Sequence, residues 1–138
     1  MNTAISMRLP YIIMFVLAFT CCSNTDKKLD FTVRSIEDEN LDFLMDKDTL
    51  LVDSRSTESF DSSNFPCSVN ITSTMIKYDP SEVMKILNSR QYKRIVIYCY
   101  GNTCDTSSTV ARYLVYTGKD IAVYKPGWQT IRNLCPKY

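Results

Sequence analysis

The longest unbroken apolar stretch in the body of the chain is Arg94 to Cys99 (R-I-V-I-Y-C). A short run of this kind predicts a central parallel strand covered on both faces. Thr49 to Asp53 (T-L-L-V-D) and Ile121 to Tyr124 predict two more strands, and Phe31 to Arg34 and Val69 to Ile71 two minor ones. Helical patterns lie between them. Ser35 reads as a helix cap, with Asp38 at the third helical position and Ile36, Leu41, Leu44 and Met45 as the apolar side. Ser56 to Phe60 reads as one helical turn. Asp79-Pro80-Ser81-Glu82 is a strong helix start: Asp caps, Pro takes the first position and Glu the third. Val83, Ile86, Leu87 and Arg90 follow at helical spacing. A helix from about Thr106 to Thr117 has Val110, Tyr113 and Leu114 on one side, and Gly118 stands where it stops. Pro126-Gly127 turns the chain into a last helix, Trp128 to Leu134. Strands alternating with helices predict one α/β domain over residues 31–138, its mostly parallel central sheet flanked by helices on both faces.

The first 30 residues follow a different pattern. Met1 to Arg8 is polar with one basic residue, and Leu9 to Phe19 is apolar. At 1.5 Å per residue that run spans about 17 Å, short of the ~30 Å hydrocarbon core, and it fits a secretory signal over residues 1–21. It ends at A-F-T-C-C-S-N-T-D-K-K, which resembles a bacterial lipoprotein signal, where a Cys is acylated and becomes the new N-terminus. Cys22 is the preferred lipid site, because bulky Phe19 lies close to the cut that Cys21, the alternative, would require. The resemblance implies a membrane-anchored protein of the cell envelope, facing the periplasm or exterior, with residues 22–30 as a polar tether.

Composition narrows the chemistry. The 138 residues make room for one domain. A net charge of +1 gives no reason to expect nucleic acid as a partner. His is absent, which excludes Ser-His-Asp triads, Cys-His dyads and His-ligated metals. Three glycines cannot build a G-x-G-x-x-G or Walker-type phosphate loop. Six cysteines remain: Cys21, Cys22, Cys67, Cys99, Cys104 and Cys135.

Asp53 in V-D-S-R and Cys99 in I-Y-C-Y-G-N-T-C stand at the carboxyl ends of predicted strands, where sites of parallel sheets lie. With this spacing the chain resembles the rhodanese-like domain, from about Phe31 to Asn133. Leu50 to Phe60 (L-L-V-D-S-R-S-T-E-S-F), Ser63 to Ile71 (S-N-F-P-C-S-V-N-I), Ile95 to Cys99 (I-V-I-Y-C) and Gly118 to Trp128 (G-K-D-I-A-V-Y-K-P-G-W) are similar to four family motifs, in order. The resemblance implies a single rhodanese-like domain with Cys99 as catalytic nucleophile, carrying sulfane sulfur as a persulfide between a sulfur donor and a thiol or protein acceptor. It implies no cofactor. The departures are specific. Asn64 stands for the family's His, and Ser63 and Cys67 for two of its glycines. The loop has no Arg or Lys from Cys99 to Ala111, and Asp105 adds a negative charge. Phosphatase and arsenate-reductase relatives use C-x5-R, whereas Asp105 is the sixth residue after Cys99 and would repel a dianion.

Cys99 is expected to be a reactive thiolate, because successive loop N–H groups and the dipole of the following helix favour the anion. Tyr100, Gly101, Asn102, Thr103, Asp105 and Thr106 form the rest of the active-site loop. Cys104 is a resolving partner, a structural staple or an exposed thiol. With Cys22 lipidated, Cys67, Cys99, Cys104 and Cys135 allow three pairings into two bridges. Cys67 is expected to border the active-site pocket, by resemblance. The C-x4-C spacing is not that of a zinc ribbon, so no metal is expected. Asp53 and Arg55 are read as supporting residues, Arg55 pairing with a carboxylate such as Glu58 and Asp53 bonding loop amides. Three functions stay open: a sulfurtransferase using Cys99 with a persulfide-type donor, a thiol redox protein cycling Cys99 and Cys104, and a catalytically inactive binding module. A monomer is expected.

Overall fold

The computed structural model describes residues 32–37 and 41–134. The signal segment, the tether, Cys21, Cys22, Asp38 and Cys135 lie outside them. In chain order the elements are β1 (Arg34–Ile36), β2 (Thr49–Asp53), α1 (Thr57–Ser62), β3 (Val69–Asn70), α2 (Ser73–Tyr78), α3 (Pro80–Asn88), β4 (Arg94–Tyr98), α4 (Thr106–Leu114), β5 (Asp120–Tyr124) and α5 (Gly127–Ile131). Short 3-10 turns occupy Asp42–Met45 and Val115–Thr117. The five strands form one sheet in the order β1-β5-β4-β2-β3, with every pairing parallel.

Period-two alternation in the three long strands divides the core in two. Leu50, Val52, Ile95, Ile97, Ile121 and Val123 point to one face. There they meet Val83 and Leu87 of α3, Val110, Ala111 and Leu114 of α4, and Met75 and Ile76 of α2. Leu51, Val96, Tyr98, Ala122 and Tyr124 point to the other, against Phe43, Phe65, Trp128 and Ile131. Each fully buried large apolar side chain contributes about 1.5–3 kcal/mol relative to leaving it exposed, which holds the layers together. Helices therefore cover both faces of the sheet, and the sheet is wholly parallel. Among the described residues no helix is long and apolar enough to cross a membrane.

Local signals were followed closely in the second half. Asp79 Oδ1 accepts from Glu82 N–H at 3.1 Å, with Pro80 opening α3. Gly118 ends the helical segment in the left-handed conformation at φ 71°. Two segments differ from expectation. Ser35 does not cap a helix: it lies in β1, paired in register with Val123. The apolar spacing around it is too sparse for a continuous helical face, and Met45 is 87% exposed. The open edge of β5 supplies the backbone partners instead. Helix α2 has no counterpart in the sequence reading. Its start is fixed by Thr72, whose hydroxyl accepts from Met75 N–H at 3.0 Å.

Candidate functional site

Strand β4 is the centre of the sheet, and its chain leaves the carboxyl end through Cys99 into a loop that turns up into α4. Cys99 is 2% exposed. Its sulfur is bonded to that of Cys104, with the two Cα atoms 6.1 Å apart. Inside the loop Cys104 N–H donates to Gly101 O at 3.0 Å, a tight turn that brings the second Cys back over the first. Asp105 is exposed and precedes α4 without a side-chain capping bond. Thr106 opens that helix. Among the described residues, the N–H groups of Gly101, Asn102 and Thr103 are used in no hydrogen bond of the protein.

The other wall of the loop is α5. Trp128 N–H donates to Cys99 O at 2.7 Å and Gln129 N–H to Tyr100 O at 3.2 Å. This approach depends on Gly127, which has φ 65°. A Cβ there would lie 2.6 Å from Cys99 O and 2.8 Å from Gly101 N. The loop and α5 together border an open polar hollow of about 430 Å³, to which Glu37, Tyr100, Asn102, Thr103, Gln129 and Thr130 contribute.

Beneath the loop lies a buried ion pair. Arg55 and Asp53 are almost wholly buried, and Arg55 Nη2 sits 2.7 Å from Asp53 Oδ2. Arg55 Nε reaches both carboxylate oxygens at 3.0 Å, and Arg55 N–H donates to Oδ1 at 2.9 Å. Tyr98 OH donates to the same Oδ2 at 2.7 Å. Burial first, and the Asp53 carboxylate second, push the Tyr98 hydroxyl well above the usual phenol range, so it remains a donor. The guanidinium also lies 4.2 Å from the Trp128 ring centroid and 5.6 Å from that of Tyr100. Its Nη2 donates to Ser63 O at 2.7 Å. Asp53 and Arg55 thus form a neutralised brace between β2, β4 and α5. They sit under the Cys99 loop, with the guanidinium charge already satisfied.

The pairing of Arg55 with Glu58 is not found. Arg55 turns back to Asp53, while the Glu58 carboxyl is held low by its own backbone N–H and by Ser56. Cys67 also departs from expectation. It is exposed and free, at φ 66°, and contributes to a separate hollow of about 260 Å³ with Phe43, Phe65 and Arg90 rather than to the wall around Cys99. Cys67 lies in a turn closed by Ser68 N–H donating to Phe65 O at 3.0 Å. Sequence reasoning missed Tyr98 as the third member of the Asp53 cluster. Its signal was a Tyr in a fully buried strand, whose hydroxyl requires a partner. It also read Gly127 only as a turn. Among the described residues no group of His, Cys, Asp or Glu is arranged to hold a metal ion.

A family model for the rhodanese-like domain matches residues 37–134. Among solved structures, a rhodanese-related protein from Thermoplasma volcanium is 20% identical, with a TM-score of 0.55 over 75% of this chain and 95% of that one. The BH2092 protein from Bacillus halodurans is 20% identical, with a TM-score of 0.52 over 64% of this chain and 61% of that one. At such identities the likeness concerns the fold. No curated protein matches the chain.

Proposed function

The chain belongs to the rhodanese-like domain family, and from that premise we propose that it transfers sulfane sulfur through a persulfide on Cys99, taken from a persulfide-type donor. The observation that carries this reading is the position of Cys99, buried at the carboxyl end of the central strand where the loop begins its turn into α4. Once reduced, Cys99 acts as a thiolate. It attacks the outer sulfur of the donor, the donor's S–S bond breaks, and the donor leaves as a thiolate. No general base is required, because the nucleophile is already an anion. Loop N–H groups not used within the protein are suited to the negative charge on the terminal sulfur. A nucleophilic acceptor then removes that sulfur and returns Cys99.

Charge selects the donor. The loop holds no cation from Cys99 to Ala111, Asp105 is acidic, and the nearby Arg55 is neutralised by Asp53. A dianion such as thiosulfate therefore lacks a counter-charge, whereas a persulfide does not need one. We further propose lipid anchoring at Cys22 and a position on the outer side of the membrane. The Cys99–Cys104 bond fits such an oxidising compartment.

The test is thiocyanate formation from a low-molecular-weight persulfide and cyanide, using protein reduced beforehand and freed of reductant. Turnover above the uncatalysed rate is expected for Cys104→Ser, in which no disulfide can close on Cys99, and loss of that excess when Cys99→Ser is added to it. Equal thiocyanate from both would overturn the assignment. The disulfide favours a second reading, dithiol–disulfide cycling without sulfur transfer, in which no enzyme-dependent thiocyanate forms.

A further inference from the structure

The bonded pair at the head of α4 has chemistry that simple sulfur relay does not use. Relay needs one thiol. Here a second sulfur, five residues on, reaches the first within a turn closed by the Cys104 N–H to Gly101 O hydrogen bond. The loop that would cradle a persulfide is thus also built to bring Cys104 Sγ onto Cys99 Sγ. We infer that this site is a sulfane-sulfur reductase: Cys104 resolves the Cys99 persulfide, and the product is hydrogen sulfide. The inference rests on the Cys99 persulfide proposed above and names its acceptor.

The reaction balances in three steps. Cys99 thiolate takes the outer sulfur of a persulfide R–S–SH, giving Cys99–S–SH and R–S⁻. Cys104 thiolate then attacks Cys99 Sγ. The Cys99–Cys104 S–S bond forms, the bond to the terminal sulfur breaks, and that sulfur leaves as HS⁻, which takes up a proton. The sulfane sulfur is reduced by two electrons, and the two cysteines are oxidised to the disulfide. An external dithiol, supplied as a small molecule or a reductase protein, restores both thiols and is itself oxidised to a disulfide.

Two features of the site set the direction of these steps. The first is proximity. A nucleophile held in the same short loop acts at an effective concentration far above that of any dissolved acceptor, up to about 10⁵–10⁸ M where the geometry is well aligned. The second is the unequal exposure of the two sulfurs. Cys99 is buried, while Cys104 is only partly so. An incoming dithiol therefore meets Cys104 Sγ first, and Cys99 departs as the thiolate at the carboxyl end of β4, in the loop that leads into α4. The same asymmetry that resets the site leaves the correct sulfur poised for the next donor.

The test uses the full chain, reduced, desalted and mixed with excess glutathione persulfide, with no acceptor present. Sulfide is measured and intact mass recorded. The parent protein is expected to release one equivalent of enzyme-dependent sulfide and end about 2 Da lighter than its reduced form. Cys104→Ser is expected to gain about 32 Da at Cys99 and to release less than about a tenth of the parent's sulfide. Addition of a dithiol should turn the parent's single burst into continuous release. A parent protein that accumulates the 32 Da adduct without releasing sulfide overturns the inference and leaves sulfur transfer standing. So does a Cys104→Ser variant that matches the parent's burst. Absence of the adduct in Cys104→Ser, if Cys104→Ala lacks it too and both melt as the parent does, removes the persulfide reading itself and this inference with it.

Discussion

Replacing Gly127 by Ala tests whether the contact between α5 and the Cys99 loop holds the site in shape. Gly118 provides the internal control. Both glycines have positive φ, 71° at Gly118 and 65° at Gly127, so an Ala Cβ meets similar backbone strain at each. That strain costs about 1–2 kcal/mol, offset by about 0.4–1 kcal/mol from the stiffer unfolded chain. They differ in what surrounds the new methyl. At Gly118 nothing lies within 4 Å, whereas at Gly127 the Cβ would sit 2.6 Å from Cys99 O, 2.8 Å from Gly101 N and 2.9 Å from Gly101 Cα. Those atoms are backbone and cannot rotate aside, and overpacking of this kind costs a further ~1–3 kcal/mol. Gly118→Ala should therefore lose about 1.5 kcal/mol or less and Gly127→Ala about 1–4.5 kcal/mol, always the greater by the overpacking cost. In a domain of this size the larger loss lowers Tm by on the order of 10 °C. Urea unfolding followed by the single Trp, Trp128, reads both the loss and the site. The Trp128 ring lies over Arg55 and stacks on Tyr98 at 6.2 Å, so movement of α5 changes its folded-state emission. All proteins should be compared with the Cys99–Cys104 bond intact. Equal losses at the two glycines, or a Gly127→Ala midpoint within error of the parent's, would refute the close-approach argument.

Arg55→Met should cost about 3–5 kcal/mol, because it strands the buried Asp53 carboxylate. Asp53→Asn combined with Arg55→Met should recover part of that loss in the same urea assay. The Asp120 carboxyl is held below its ordinary value: burial acts to raise it, and hydrogen bonds from Arg94 and Arg34 outweigh that effect. Its contribution to stability is then full above about pH 4 and is lost as pH falls through the lowered folded-state value. Asp120→Asn should flatten the acid limb of a Tm-against-pH profile; an unchanged limb would show that the pair does not act. Thiosulfate should be a poor donor, and Asp105→Arg should raise thiosulfate:cyanide transfer by roughly 10- to 150-fold, the worth of one charge-assisted hydrogen bond of about 1.5–3 kcal/mol. Brisk parental turnover with thiosulfate, unchanged in the variant, would count against the electrostatic reading.

Much of this architecture is legible in the chain because its signals are local. Strand β2 runs over the same residues, Thr49 to Asp53, that the apolar run marks, and Asp79 caps α3 as its sequence context dictates. The alternation of strand and helix was enough to place Asp53 and Cys99 at one end of the sheet. What was not legible depends on tertiary partners. Ser35 looks like a cap until the edge of β5 is available to pair with it. Helix α2 is six residues long and is held by Met75 and Ile76 against the core, a contact with no periodic signature at that length. Arg55 lies three residues before Glu58, an obvious partner along a helix, but the chain turns at the end of β2. There the Arg55 N–H already binds Asp53, which draws the guanidinium back to the same carboxylate. Cys67 and Cys99 both fall in family motifs in sequence, yet only the fold reveals that Cys67 lines one hollow while the loop after Cys99 borders another.

The order of the sheet has a consequence for how the chain assembles. Among the described residues strand β1 pairs only with β5, and the Arg34–Asp120 ion pair that ties them closes a loop of 86 residues. The other strands can associate, and both apolar clusters can form largely from later residues, before that loop closes. Long closures cost more chain entropy and slow the contacts that depend on them. With a single neighbour, and with Arg34 and Ser35 exposed to solvent, β1 is the natural last strand to dock and the first to fray. Its amides should exchange with solvent well ahead of those in β4. Strand β1 thus behaves as a latch on a nearly finished sheet.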